Sequence, residues 1–332
     1  MDKILSIIVP VYNQEPYLAK CLDSLLNQDL TNYEILAIND GSTDNSANIL
    51  EKYALKYDNV MVVNQENKGL GGARNTGLSR ARGKYVMFID SDDYIEPNSL
   101  SILINKISAD KSDILYANFI KVDTSGNIVA KQPQEQTTHY TTDIVDNVTF
   151  FSRHFGFVCY VCLFIFERNF LVENKFSFKE KIYMEDTEAI PRLLVQAKKI
   201  SMLDYPFYNY VQTPTSIMRD SSKTEKRLKD TLYVTKLLRE FQVQNIKDDG
   251  INDWFDKLNS INAVRLCSAV SKQGLNFYSK VVYKTLVSLD VFPLSTKIVP
   301  VSFSIMAYII NLNWNAAVAL LSIINKLKIC FC

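Results

Sequence analysis

Three carboxylates fall within four residues at Asp90, Asp92 and Asp93, immediately after the apolar run of residues 85–89. Charges of one sign this close raise one another's pKa, and a hard divalent cation that prefers oxygen ligands removes that penalty. A turn of Asp and Ser also closes many strands with no ligand involved. Other candidates for chemistry are Asp40, within Asn39-Asp40-Gly41-Ser42-Thr43-Asp44, the cations Lys68 and Arg74, and the pair Glu185-Asp186. That pair precedes an apolar-patterned segment at 189–195 and reads, on its own, as two acids at a helix N-terminus, where the backbone dipole favours negative charge.

The elements that must carry these residues alternate. Residues 4–9 form a continuous apolar run closed by Pro10, and Asn13 with Pro16 supplies a helix start before 17–26. The unit recurs: strand 33–38 leads into helix 46–57, and strand 60–63 leads through a glycine-rich loop into helix 73–82, before the fourth strand, 85–89. Strands alternating with helices of about three turns predict parallel βαβ units, with ligands beyond the carboxyl ends of the strands. On that edge the four strands present Pro10 to Asn13, then Asp40, then Asn67-Lys68-Gly69, then the aspartates. The glycines at 69, 71 and 72 are not a dinucleotide fingerprint, which belongs on the first strand-to-helix turn, where this chain has no glycine. They suit either a plain flexible connection or close approach of backbone to a diphosphate or an acidic loop.

These motifs together resemble those of the inverting family 2 glycosyltransferases of GT-A fold: residues 6–13, 39–44, 67–77 with Ala73-Arg74-Asn75, then Asp90-Ser91-Asp92-Asp93, in matching order and spacing. The resemblance implies an α/β domain, a Rossmann-like and mostly parallel sheet flanked by helices, spanning residues 1–218. It implies a nucleotide-sugar site, probed first as a UDP-sugar site, built from Pro10, Val11, Tyr12, Asp40, Lys68, Arg74, Asp90 and Ser91. Asp90 and Asp92 would form the DXD pair on Mn²⁺ or Mg²⁺, with Asp92 nearest the metal. Asp186 would be the catalytic base, supported by Glu185. Three departures stand out: Asn39 where the family carries an aspartate, Tyr160, Cys162 and Leu163 where it carries Trp-x-Lys-Leu, and Val211 where an arginine is common, so that a diphosphate contact is either lost or taken over by Arg219. The implied acceptor is a saccharide or lipid-linked saccharide of the kind found in bacterial surface polysaccharides.

In the second half, residues 114–122 and 128–131 form a hairpin around Asp123 to Asn127, the polar loop 132–142 covers the site, and 150–166 is aromatic core. Cys159 and Cys162 are buried small hydrophobes, since only His139 and His154 exist to complete a zinc site. Residues 219–332 form a helical extension. No charge occurs between Lys297 and Lys326, but Pro300 and the Asn311 to Asn315 interruption break a run that would need about 20 apolar residues to span a bilayer. Two short helices from about residue 295, with Trp314 between them, fit an oligomer interface, a hairpin docked on the core, or a peripheral attachment to the inner face of the plasma membrane, which the resemblance favours. A formal net charge of +1 argues against nucleic acid as a partner, and the N-terminus lacks signal-peptide character, predicting a cytoplasmic chain. Two other readings are a sugar-phosphate nucleotidyltransferase, disfavoured by the glycine-free first loop, and a catalytically silent nucleotide-sugar-binding partner of a synthase.

Overall fold

The computed structural model describes residues 3–131, 140–213, 221–272, 275–298 and 300–326. They fall into two compact units, the first within residues 1–214 and the second within residues 215–332 together with Phe155–Phe157.

The first unit opens with strands and helices in alternation: β1 (Leu5–Val11), α1 (Leu18–Leu26), β2 (Tyr33–Asn39), α2 (Ser46–Lys56), β3 (Val60–Asn64), α3 (Gly69–Arg80) and β4 (Tyr85–Phe88). All seven residues of β1 are buried, because β2 and β4 flank it as parallel partners and helices cover both faces. The register sets Val11 opposite Asn39 and Ile8 opposite Phe88. β1, β2 and β3 therefore end level, β4 stops at Phe88 opposite Ile8, and the loops that follow them share one edge.

Beyond β4 come β5 (Tyr94–Ile95), α4 (Ser99–Asp110), β6 (Ile114–Val122), β7 (Ile128–Lys131), the helical turn α5 (Asn147–Thr149), β8 (Phe164–Glu167), α6 (Arg168–Glu173), α7 (Glu185–Leu194) and β9 (Ile200–Val211). The sheet runs β3-β2-β1-β4-β8-β6-β9-β5, with β7 on β6. It is parallel through its first four strands and mixed thereafter: β8 is antiparallel to β4 and β6, whereas β9 lies parallel to β6. The short β5 pairs with Tyr208 and Asn209 of β9, which returns the chain just after the aspartates to the end of the sheet. Phe150, Cys159, Cys162, Phe164 and Phe166 are all buried, as the aromatic run predicts.

Helix α3 begins at Gly69, four residues earlier than the sequence pattern predicts. The reason is packing, not flexibility. The segment Phe178 to Lys181 crosses the first turn of α3 so closely that a Cβ on Gly71 would stand 2.3 Å from the Lys179 carbonyl oxygen. Gly69, at φ +75, holds a conformation that favours glycine while Lys181 N–H donates to the Lys68 carbonyl at 3.2 Å. The glycines let the approach to α7 lie directly on α3.

The second unit consists of α8 (Thr224–Asn245), α9 (Asp249–Val270), α10 (Ser279–Ser288), α11 (Val301–Leu312) and α12 (Trp314–Lys326). Asp248 caps α9 by accepting from Ile251 N–H at 3.0 Å. One core gathers Leu228, Val264, Leu266, Cys267, Leu286, Met306, Ile310, Trp314 and Leu321 from all five helices. The Trp254 ring stacks 5.3 Å from Phe155 and 5.3 Å from Phe157.

The clash at Gly71 is with backbone, so neighbouring rotamers cannot relieve it. Gly71→Ala is expected to lower stability by roughly 1–3 kcal/mol, read as a lower urea midpoint; an unchanged midpoint would show that the crossing segment is not held there.

Candidate active site

The first two loops of the carboxyl edge are stitched together by polar side chains. Asn13 accepts from Thr43 N–H at 2.8 Å, while Ser42 and Ser46 hydroxyls accept from the N–H groups of Asn13 and Gln14. Asn39 uses both ends of its amide, donating to Asn64 Oδ1 at 2.9 Å and accepting from Ser42 N–H at 3.1 Å. A carboxylate could not donate, so the amide at this position suits its neighbour. Asp40 is buried, and its Oδ1 accepts from Gln65 Nε2 at 2.6 Å and from Lys68 N–H at 2.8 Å. The Lys68 side chain itself is exposed, as is Tyr12, while Pro10 and Val11 are buried. Gln65 Oε1 is buried beside Asp40 with no partner among the described residues.

The aspartate loop is fixed from every side. Ser91 Oγ donates to the Pro10 carbonyl at 2.7 Å, and Asp93 N–H donates to the Asp90 carbonyl at 3.1 Å. Asp93 is buried and turns away from the open edge: its carboxylate accepts from Tyr208 O–H at 2.5 Å and from Val211 N–H at 2.7 Å. The antiparallel pairing of β5 with β9 brings these groups together across more than a hundred residues of sequence. Asp90 and Asp92 remain partly exposed. Burial, then the charge of Asp90, pushes the Asp92 carboxyl up to about 6.

That strain is what a divalent cation relieves. Among the described residues no three acids, histidines or cysteines are grouped to hold a metal by themselves. Mg²⁺ and related ions beside phosphates are bound by one or two carboxylates plus the substrate's own oxygens, so the donor set of Asp90 and Asp92 fits such an ion.

Arg74 joins this loop to α7. Its side chain is 2% exposed; Nη2 meets Asp90 Oδ1 at 2.7 Å and Nη1 meets Glu185 Oε1 at 2.5 Å. The guanidinium also lies 5.4 Å from the Phe178 ring centroid. Burial alone would depress its pKa, but Asp90, Glu185 and Asp186 together hold it above the ordinary arginine value. Burial raises the Glu185 carboxyl, and Arg74 only partly offsets this. Asp186, next in the first turn of α7, is pushed up to about 7, by burial first and then by Glu185. Asp90 contributes to the same rise, so the aspartate loop and the Glu185-Asp186 pair share one electrostatic field.

The profile of "Glycosyl transferase family 2" matches residues 6–169. A cholesterol galactosyltransferase of Borreliella burgdorferi is 30% identical over 244 residues, 71% of this chain and 68% of that one. The chain belongs to glycosyl transferase family 2. The uncharacterized glycosyltransferase EpsJ of Bacillus subtilis is 33% identical over 218 residues, and the match spans 65% of this chain but 63% of EpsJ. Residues 1–349 of S. aureus TarS, solved in complex with UDP-GlcNAc, superpose with a TM-score of 0.72 at 21% identity, covering 98% of this chain and 92% of that one. The fold is therefore GT-A.

Of the family positions named from sequence, Asp40, Lys68, Arg74, Asp90, Ser91, Asp92, Glu185 and Asp186 all lie on the loops and helix starts of this edge. Arg74 is the position whose surroundings differ most from the sequence expectation: its Nη atoms meet carboxylates on both sides. Val211, in the place of the common arginine, contributes its backbone N–H to Asp93. Tyr160 stacks on Tyr210 with centroids 5.7 Å apart. Arg219 and residues 132–139 of the 132–142 loop lie outside the described residues. Motif reading passes over Gln65 and over Asp93 as an anchor.

Replacing Arg74 by Met leaves Asp90 and Glu185 beside each other without their cation. Loss of one partner from a buried ion pair costs about 3–5 kcal/mol, so the Arg74→Met variant should unfold at markedly lower urea; a small change would show the three groups to be independently solvated. A folded-state carboxyl pKa raised above the unfolded value destabilises as pH rises: the cost is absent below the unfolded pKa of about 4 and complete above about 7. Asp186→Asn should accordingly be more heat-stable than the parent at pH 8, with the difference shrinking toward pH 4. Equal melting temperatures across that range would contradict the raised pKa.

Proposed function

We propose that this chain is an inverting glycosyltransferase that moves a sugar from a UDP-sugar to a saccharide or lipid-linked saccharide in bacterial surface polysaccharide synthesis. The observation that carries the proposal is the link through Arg74: it sets the candidate leaving-group site at Asp90 and Asp92 within the field of a carboxylate suited to act as base. In support of the donor, TarS shares this fold and was solved with UDP-GlcNAc.

Asp40 accepts from the uracil ring, with Pro10, Val11 and Tyr12 forming the wall of the base pocket. Lys68, Asp90 and Ser91 line the route of the nucleotide. Arg74 positions Asp90 and Glu185, and Glu185 in turn sets the charge felt by Asp186. In the displacement the acceptor hydroxyl oxygen bonds to the anomeric carbon as the bond from that carbon to the phosphate oxygen breaks. The hydroxyl proton passes to Asp186, and the electron pair leaves on the diphosphate, so configuration inverts. Mn²⁺ or Mg²⁺, held by Asp92 and Asp90, would supply stabilisation of the charge gathering on the diphosphate. The stacked Tyr160 and Tyr210 rings form an apolar wall on the acceptor side. Tyr210 supports that placement because its hydroxyl is raised by burial, by Tyr160 and then by Asp93, Asp90 and Asp92. The chain works as a peripheral protein on the inner face of the plasma membrane, where lipid-linked acceptors are held.

Calorimetry with UDP tests the donor site: binding should strengthen with Mn²⁺ and lose that dependence in Asp92→Ala. Absence of UDP binding under both conditions would exclude a UDP-sugar donor. Asp186→Asn should bind UDP as the parent does while turnover falls by about 10²–10⁴. With the parent, kcat/KM should drop tenfold per pH unit below about 7, as Asp186 takes up a proton. Full turnover by the Asp186→Asn variant would remove the base assignment.

A further inference from the structure

A helix side left open to water ordinarily carries charge, and the C-terminal helices of the second unit do not follow that pattern. Between Lys297 and Lys326 there is no charged residue. Met306, Ala307 and Ile310 of α11 and Trp314, Ala317 and Leu321 of α12 enter the core. On the opposite side of α11, Val301, Ile305, Tyr308 and Leu312 are between 52% and 69% exposed. Their spacing of four, three and four residues places them in a single row along the helix. Helix α12 adds exposed Leu320 and Ile323, and α10 exposes Val281 and Val287, with Phe277 just before its start.

Cations accompany this apolar surface. From Ser271 to Lys326 the sequence holds five lysines, Lys272, Lys280, Lys284, Lys297 and Lys326, against one carboxylate, Asp290. Lys280 and Lys284 are exposed on α10 beside Val281, and Lys297 and Lys326 bracket the uncharged stretch. No helix among the described residues is long and apolar enough to cross a membrane. An uncharged apolar row flanked in sequence by exposed lysines, on helices too short to span, is the pattern of a segment lying in a bilayer interface, with lysine heads at the level of anionic phosphates. A second copy of this chain fits less well, because a symmetric contact through this face would set lysines against lysines.

We propose that the exposed row of α11, with the exposed apolar and basic residues of α10 and α12, docks on the surface of an anionic phospholipid bilayer. The inference rests on the peripheral-membrane part of the function above and names its surface and lipid charge; it does not depend on the chemistry at Asp186.

Flotation of the full chain with phosphatidylcholine vesicles, with and without phosphatidylglycerol, tests it. Binding is expected on the anionic vesicles, reduced by salt, and weak on phosphatidylcholine alone. Ile305→Asp with Leu312→Asp should weaken it at least about tenfold, given the area these side chains would otherwise bury. Lys280→Glu with Lys284→Glu should weaken it by at least about fivefold per lysine. Both pairs lie on the exposed surface, so an unchanged melting temperature and unchanged UDP binding verify the fold. The proposal is overturned if the parent ignores anionic vesicles or if Ile305→Asp/Leu312→Asp binds like the parent. It is equally overturned if sedimentation shows a dimer that this variant dissolves, since a second copy would then cover the row. Loss of docking with transfer from a UDP-sugar intact leaves the transferase reading standing; docking without UDP binding would do the reverse.

Discussion

The buried guanidinium of Arg74 is the constraint on which the first unit's open edge depends. It meets Asp90 at the end of β4 and Glu185 at the start of α7, 16 and 111 residues away in sequence. Neither carboxylate could sit in that environment unpaired, because a buried charge without a partner is heavily penalised. An arginine is suited to the task, since its planar fork can serve two carboxylates at once while staying charged. Geometry at this edge is therefore set by charge pairing as much as by apolar packing.

Pairing of that kind works only if the backbone delivers the partners to within hydrogen-bond reach. Two devices do so. The glycines of α3 let the segment before α7 lie against its first turn, and the β5–β9 pairing brings Tyr208 and Val211 to Asp93. With Ser91 tied to the Pro10 carbonyl, Asp90 and Asp92 sit on a loop whose other polar groups are already engaged. Groups held this way need little reorganisation when charge develops nearby, which is the physical basis of electrostatic preorganisation.

The alternating strands, the shared carboxyl edge and the acidic loop were legible because each is written locally. A continuous apolar run marks a strand covered on both faces, and a cluster of acids must lie at its end. The role of the glycines was not legible, since their cause is the carbonyl of Lys179, far away in sequence. Nor was the engagement of Arg74, for its type suggests an anion but not which one. Asp93 illustrates the same limit. It stands in a run of acids with Asp90 and Asp92, yet its carboxylate turns inward to Tyr208, and only the pairing of β5 with β9 separates its part from theirs.

The electrostatics of the Asp186 region run against stability. Placing Glu185 and Asp186 side by side, with Asp90 close, raises their pKa values, and a fold selected only for stability would remove one of them. Arg74 offsets part of that repulsion, but its ion pairs are with Glu185 and Asp90, and the Asp186 carboxyl stays raised by burial and by Glu185. A carboxylate kept reluctant to ionise accepts a proton more readily than an exposed one, and with the Asp186 carboxyl pushed up to about 7 roughly half of it is still ionised at neutral pH. The structure thus accepts a destabilising charge at Asp186 and holds the neighbouring charges of Asp90 and Glu185 in fixed pairs with Arg74. Neutralising Asp186 would relieve the repulsion and, under the proposed mechanism, remove the base in one step, which would set stability against turnover at this position.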